Sequence, residues 1–434
     1  MKRGLFVLAV LLAGAPLLVA QRSALPPDLP IPVGRPEDVG MSLARLARLK
    51  TAMQGYVDRR DVAGVVTLVA RHGRVVHFES VGSRDAEAKA PMTPDTIFRL
   101  ASMTKPIVAA AALMLFEEGR FQLTDPISKW LPEFKEMKVL QPGVAGAYTT
   151  APARTPITIR HLLTHTSGLQ SGDGVLLPGY EKIAPRSVPK DTLGAFVTRL
   201  ASLPLNFEPG TAWHYGAAGN GLAVVGRLVE VISGQSLDQF LSERILRPLK
   251  MNDTYFYLPE GKLARFAATY RPDANKKIQL DEAPDTASLF FRERTYFSGT
   301  GGLVSTASDY LRFQLMLLNG GELDGVRILG PKTVELMSSN NAGNLYAVNR
   351  PGYGFGLGVS VLVDLGASGQ LGSEGMFGWA GAYNTISFVD PKEDMVGIVM
   401  SQLRPNDHLN LRRDFQTLVY QALIGHKPSV PSAN

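Results

Sequence analysis

The chain has 434 residues, 45% of them hydrophobic, with 45 Lys plus Arg against 39 Asp plus Glu and no cysteine. Disulfide scaffolds, thiol catalysis and iron-sulfur clusters are thereby excluded, and the apolar content supports a sizeable core rather than a disordered polymer. A formal net charge of +6, with acidic and basic residues alternating and no basic stripe interleaved with aromatic rings, argues against a nucleic-acid partner.

Lys2 and Arg3 precede an apolar run from Leu5 to Val19 that ends at Ala20, the pattern of a secretory signal peptide over residues 1–20. Gly14 and Pro16 interrupt the run, which falls short of the roughly 20 residues that span a bilayer, so export without a stable membrane anchor is expected, to the periplasm or the medium. Residues 21–40, with Pro26, Pro27, Pro30 and Pro32, read as an extended leader, and folding is expected to begin near Met41. Leu43, Leu46, Leu49, Met53 and Tyr56 then recur at helical spacing and predict an amphipathic helix packed on a sheet. Val65 to Arg71 and Arg74 to Ser80 are β-branched runs joined by His72-Gly73, a hairpin signal. Ile97 to Leu100 reads as a short strand, and the Ala-rich segment Lys105 to Glu118, apolar on nearly every side, as a helix buried within a domain.

From about 131 to 298 the pattern changes to helices and loops punctuated by Pro204, Pro209, Pro248 and Pro259, which predicts an inserted, mostly helical lobe. After Gly299 glycine-rich turns and strands return, with Gly356 to Val363, Asn384 to Val389 and Met395 to Ser401 as neighbouring strands. The expectation is one α/β domain over 41–425 whose sheet is built from both ends of the chain, followed by a disordered tail at 426–434.

The chemistry concentrates at Ser102-Met103-Thr104-Lys105, directly before the buried helix, where Pro106 suits a first turn. Three-residue spacing brings the hydroxyl and the amine to one helical face, and the helix N-terminus favours negative charge developing near Ser102. A buried Lys has its pKa lowered and takes a proton from a neighbouring hydroxyl, turning Ser into a nucleophile. The bland alternative is a Ser N-cap followed by a solvated Lys.

Further segments follow in order: Ile157-Thr-Ile-Arg-His-Leu-Leu-Thr-His-Thr-Ser-Gly-Leu169, Phe207-Glu-Pro-Gly-Thr-Ala-Trp-His-Tyr215, Pro248-Leu-Lys-Met-Asn-Asp-Thr254, Gly299-Thr-Gly-Gly-Leu-Val-Ser-Thr306, and Phe377-Gly-Trp-Ala-Gly-Ala-Tyr-Asn-Thr385 before Asp390-Pro391. On these segments the chain, from about Gly40 to Leu423, resembles the penicillin-recognising serine hydrolases: class C β-lactamases, DD-peptidases and, most closely, family VIII carboxylesterases. The resemblance implies a β-lactamase-like α/β fold, an antiparallel sheet flanked by helices with an inserted helical lobe. It also implies that Ser102 is the nucleophile, with Lys105 and Tyr215 sharing the proton transfers as a coupled pair. The backbone N–H groups of Ser102 and Ala382 would receive the oxyanion, and Trp379 and Gly381 would bind substrate. Bland readings remain beside these: Tyr215 and Trp379 as aromatic packing.

Two departures from the family pattern concern specificity. β-Lactamases and DD-peptidases carry Asn two places after the Tyr, where this chain has Ala217; Asn220 is a candidate to restore the amide. They also carry Lys-Thr-Gly on the edge strand, where this chain has Trp379-Ala380-Gly381, resembling the esterase branch. An indole supplies no cation for a carboxylate but lines an apolar pocket suited to neutral esters.

Competing constellations are weaker. No Gly-x-Ser-x-Gly elbow occurs. His161 and His165 stand four apart but lack the intervening Glu of a zinc-protease helix. The glycines at 299–302 precede no Lys-Ser/Thr pair, so a tight turn beside the site is expected rather than a phosphate cradle. No cofactor and no metal is implied. The expected function is an exported serine hydrolase that cleaves small-molecule carboxylic esters through an acyl-enzyme on Ser102, which an alcohol can intercept in place of water. The alternatives are a β-lactamase or DD-carboxypeptidase, and a non-catalytic binding protein of the same fold.

Overall fold

The structure, a computed structural model, describes residues 31–141, 149–170, 191–216, 219–288, 290 and 295–425. The expected signal peptide, the first half of the leader, the tail at 426–434 and Ala217 lie outside the described residues.

The amphipathic run forms helix α1 (Leu43–Asp58), capped by the Ser42 hydroxyl, which accepts the Arg45 N–H at 3.3 Å. Leu46, Leu49, Met53 and Tyr56 are buried, while Leu43, at the first turn, is left exposed. Strands β1 (Gly64–Arg71) and β2 (Arg74–Asp85) follow as the expected hairpin. His72 and Gly73 have φ of 50° and 69°, the left-handed pair that matches strand twist in a two-residue turn. Short strand β3 (Ala90–Pro91) then pairs with β2. Helix α2 (Thr104–Glu117) is buried from Thr104 through Leu115, as its unbroken apolar surface requires.

Next come helices α3 (Ile159–Leu163) and α4 (Gly221–Ser233), then α5 (Ala307–Leu318). Strands β4 (Tyr353–Phe355), β5 (Ser360–Leu362), β6 (Phe377–Gly381), β7 (Thr385–Asp390) and β8 (Met395–Met400), and finally helix α6 (Leu411–Tyr420), complete the domain. The strands form one eight-stranded sheet in the order β4-β5-β6-β7-β8-β1-β2-β3, with antiparallel neighbours throughout. Val66 faces Met400 and Ala70 faces Val396, so the two ends of the chain meet at β1 and β8. Alternate residues feed two cores. Val66, Leu68, Ile398 and Val389 join α2, α4 and α5, whereas Val65, Val69, Val399 and Phe388 join α1 and α6.

Three expectations are corrected. The run 356–363 is not one strand: a turn at Gly356–Val359 separates β4 from β5. Gly356 lies so close to the chain that a Cβ would come 2.1 Å from the Met337 carbonyl oxygen, and Gly358 has φ of 82°, so both glycines serve the bend rather than a strand. The described part of the leader is extended only up to Arg35, then turns through a 3-10 helix at Pro36–Val39, and it is packed: Ile31 is buried, Val75 N–H donates to Pro32 O at 2.8 Å, and Gly34 N–H donates to Val75 O at 3.0 Å. The fold therefore begins before Met41, because the start of β2 offers free backbone groups to pair with. The lobe at 131–298 is built of helices together with two hairpins, Lys138–Gln141 with Thr149–Pro152 and Thr269–Pro272 with Ile278–Glu282. Its apolar side chains, among them Phe196, Leu222 and Leu228, share one continuous cluster with α2.

Candidate active site

Ser102 sits in a 3-10 turn, Ala101–Met103, immediately before α2, and so is not an α-helix N-cap. The turn is clamped from three directions. Leu100 N–H donates to Leu303 O at 3.0 Å, Leu303 N–H donates to the Thr104 hydroxyl at 3.1 Å, and the Tyr310 hydroxyl on α5 donates to Met103 O at 2.9 Å. Ala101 is held at φ of 44°, a left-handed conformation that costs a residue with a Cβ about 1–2 kcal/mol. Such strain beside a nucleophile persists only where the surroundings over-determine it.

The three predicted reactive groups come together. Lys105 Nζ donates to Ser102 Oγ at 3.0 Å, and the Tyr215 hydroxyl donates to the same oxygen at 2.6 Å. Lys105 is 1% exposed, which excludes the solvated-lysine reading. Its burial holds the amine pKa below the ordinary lysine value, while the charge and hydrogen bond of Tyr215 act in the opposite sense. Nζ also donates to Thr300 O at 2.7 Å and lies 4.8 Å from the Tyr215 ring centroid. The Gly299–Gly302 stretch forms the expected tight turn, with Gly302 N–H donating to Ser298 O at 3.0 Å. A Cβ at Gly299 would lie 2.4 Å from Leu222 O, so only glycine lets this loop carry the Thr300 carbonyl to the amine.

Strand β6 forms the facing wall. Trp379 pairs in register with Ser387 and Gly381 with Thr385. A Cβ at Gly381 would lie 2.2 Å from Leu100 O and 2.3 Å from the Thr385 hydroxyl, so the strand rests directly against the backbone leading into Ser102. Ser102, Tyr215, Trp379, Gly381 and Ala382 line a cleft of about 410 Å³. Trp379 is half-buried, both packed and cleft-lining, with its ring 5.4 Å from Tyr215 and 5.1 Å from Phe355. Asn220 is buried and donates its amide to Gln170 O at 2.6 Å.

Sequence reasoning missed several partners. His165 is buried, at φ of 58°, and packs edge-on against Tyr215 at 4.9 Å and Phe355 at 5.2 Å. Burial, then the nearby Lys105 and His214 charges, hold it well below the usual histidine pKa, hence neutral. His161, by contrast, belongs to the capping box of α3, its Nδ1 accepting Thr158 N–H at 3.2 Å. Among the described residues no group of three or more His, Cys, Asp or Glu side chains could hold a metal ion, and no helix is long and apolar enough to cross a membrane. Arg412 and Asn406, which also line the cleft, donate to the carbonyls of Gly381 and Ala382 at the strand end. Position 219 was a signal in plain view: Gly219, at φ of 59°, leaves a Cβ only 2.7 Å from Lys105 Cε.

The arrangement can pass a proton from the Ser102 hydroxyl to a buried amine–phenol pair while a carbonyl sits between Ser102 and the end of β6. The chain as a whole is similar to known proteins. The profile of the Beta-lactamase family matches residues 49–421. Esterase EstB of Burkholderia gladioli is 35% identical over 366 residues, covering 79% of this chain and 87% of its own. Among solved structures, EstCE1, described as a hydrolase with promiscuous acyltransferase activity, superposes with a TM-score of 0.75 at 28% identity, covering 88% of this chain and 100% of its own. Simvastatin synthase LovD of Aspergillus terreus gives 0.74 at 28% identity over the same shares.

Proposed function

The chain belongs to the beta-lactamase family, and from that premise we propose that it cleaves neutral carboxylic esters through an acyl-enzyme on Ser102. The observation that carries the reading is the convergence of Lys105 Nζ and the Tyr215 hydroxyl on Ser102 Oγ, at 3.0 and 2.6 Å, in a cleft where β6 presents Trp379 at the place of a lysine that would seek a carboxylate. Ser102 Oγ attacks the ester carbonyl and its proton passes to the Lys105–Tyr215 pair. The tetrahedral oxyanion is received by the N–H groups of Ser102 and Ala382, worth several kcal/mol as a pair. Collapse expels the alcohol, which takes the stored proton, and water then repeats the sequence to release the acid.

The test is hydrolysis of p-nitrophenyl butyrate beside nitrocefin, in wild type and Ser102→Ala. Ester turnover far above nitrocefin turnover, abolished in a variant that still folds, is expected. Undiminished turnover in that variant rejects the assignment, and the reverse substrate ranking makes the enzyme a β-lactamase or cell-wall peptidase. A second reading, transfer of the acyl group to an alcohol, draws support from the likeness to EstCE1, a hydrolase with promiscuous acyltransferase activity, and to the synthase LovD. An added acceptor alcohol would then raise p-nitrophenol release and yield a new ester. Export is part of the proposal, on the Lys2-Arg3 and Leu5–Val19 pattern. A mature N-terminus at Gln21 in the periplasm or medium supports it, and an intact Met1 in the cytoplasm overturns it.

A further inference from the structure

The C-terminal end of β6 is held by side chains from outside the sheet. Arg412, in the first turn of α6, lines the cleft and donates from Nη2 to the Gly381 carbonyl oxygen. That oxygen belongs to the same peptide unit as the Ala382 N–H. Because the peptide is planar and trans, a donor fixing the carbonyl also fixes the direction of the N–H, which points the opposite way. Asn406 holds the next carbonyl, Ala382 O, through Nδ2 at 2.7 Å. On its other side the peptide is stopped by Leu100 O, which leaves no room for a Cβ at Gly381. Helix α6 is itself anchored by Leu411, Phe415 and Val419, all buried in the second core, so Arg412 is delivered from a rigid element. The guanidinium is largely buried, which pushes its pKa down to about 10 against the opposing influence of Asp407, and it remains a cation at neutral pH.

We propose that Arg412 is a positioning residue of the oxyanion hole: it orients the Gly381–Ala382 peptide and, by drawing density from its carbonyl, strengthens the Ala382 N–H toward the negative oxygen. A charge-assisted bond to one end of an amide polarises the other, and the effect is larger where water is excluded. The inference rests on the esterase reading above. Its benefit arises chiefly when charge has developed, so kcat falls on its loss while KM changes little.

The diagnostic is the ratio of kcat/KM for an oxygen ester to that for its thionoester, in which carbonyl sulfur is a poor hydrogen-bond acceptor. Loss of a whole oxyanion donor costs about 10²–10³ in rate; weakening one by removing its support should cost about tenfold, and only with the oxygen ester. Arg412→Met is therefore expected to lower kcat for p-nitrophenyl butyrate about tenfold and to compress the oxygen-to-sulfur ratio by the same factor. Arg412→Lys, which keeps the charge on a single point donor, should fall between. It carries the test on the same ratio if the methionine variant does not fold. An unchanged ratio beside a lower kcat/KM overturns the proposal and leaves Arg412 a structural residue. A KM rise confined to carboxylate-bearing esters also overturns it and makes Arg412 an anion-binding group, together with the exposed Arg350 and Arg404 that share its cleft. Intact-mass detection of a diethyl phosphate adduct on Ser102, after treatment with diethyl p-nitrophenyl phosphate, separates this failure from a deeper one. No adduct in wild type rejects the serine-esterase reading itself, whereas an adduct with an unmoved ratio rejects Arg412 alone.

Discussion

Lys105→Met keeps most of the side-chain volume and removes the amine, and its consequences can be worked from the geometry. The amine donates to Ser102 Oγ and to Thr300 O, so the variant loses a proton-transfer partner and strands a buried carbonyl. Positioned acid–base groups contribute roughly 10²–10⁴ in rate, and kcat/KM for p-nitrophenyl butyrate should fall by about 10³. The stranded carbonyl costs about 1–3 kcal/mol, offset in part because a group whose charged form is poorly solvated has gone. The offset depends on pH in a definite sense. Burial holds the folded-state pKa below 10.5, so between that value and the unfolded pKa the unfolded chain binds a proton that the folded chain does not. Stability contributed by Lys105 therefore rises with pH across this window, at up to about 1.4 kcal/mol per pH unit, and is lost as pH falls through the folded pKa. Urea unfolding of both proteins between pH 7 and 10 isolates this contribution, since all other groups cancel in the difference. The wild type should gain on Lys105→Met as pH rises. Parallel stability curves would refute the buried-amine account, and a loss of less than tenfold in kcat/KM would refute the proton relay.

Gly219→Ala tests how tightly the pair is held. The new Cβ would stand 2.7 Å from Lys105 Cε, 2.9 Å from Tyr215 Cε2 and 3.1 Å from His165 Cε1, at a φ of 59° that disfavours alanine. A stability loss of about 1–3 kcal/mol and a fall in kcat of tenfold or more are expected, and unaltered kcat would mean that the groups tolerate displacement. Away from the site, His77 is buried against Thr67 at 2.8 Å, and burial brings its pKa down to about 4. Its folded pKa lies below the unfolded value, so its contribution is complete above pH 6.5 and is lost as pH falls toward 4, by about 3 kcal/mol. Comparing acid unfolding of wild type and His77→Gln should show that difference, while superimposable acid limbs would contradict it.

Much of this was legible because it is local. The His72-Gly73 hairpin and the all-round apolar α2 follow from turn chemistry and periodicity within one segment, and Ser102 and Lys105 are brought together by a spacing of three. Tyr215 is 113 residues from Ser102, and only family resemblance tied the two together. Nothing in the sequence links Lys105 to the Thr300 carbonyl, 195 residues away, since any residue type supplies a carbonyl. Arg412 and Asn406 act on backbone oxygens in the same anonymous way. The packed half of the leader was hidden for a related reason: its pairing with Val75 runs through backbone groups, which leave no side-chain pattern. At 356–363 the apolar run favoured a strand, but the nearness of Met337 O and the reversal at Gly358 are tertiary facts that turned its first half into a bend.

The β6 tryptophan and the buried lysine are best understood together. His165, Trp213 and Trp379 pack on Tyr215 at 4.9, 6.1 and 5.4 Å, and Phe355 packs on all three of them, so an aromatic wall shields one side of the amine–phenol pair from water. That exclusion lowers the pKa of Lys105, while the face of the Tyr215 ring, 4.8 Å from Nζ, returns some stabilisation to the cation. A second cation on β6 in place of Trp379 would have to be desolvated against the same wall and would repel Lys105 across it. Its repulsion would lower the Lys105 pKa further, but the wall that excludes water would be broken by the group that needs it. A site can thus anchor a substrate carboxylate from β6 or keep an aromatic wall around its base, and the indole at 379 commits this chain to the wall. On the esterase proposal, substrate recognition would then draw on contact along β6 and on the oxyanion donors at its end, a division of labour that suits a neutral ester.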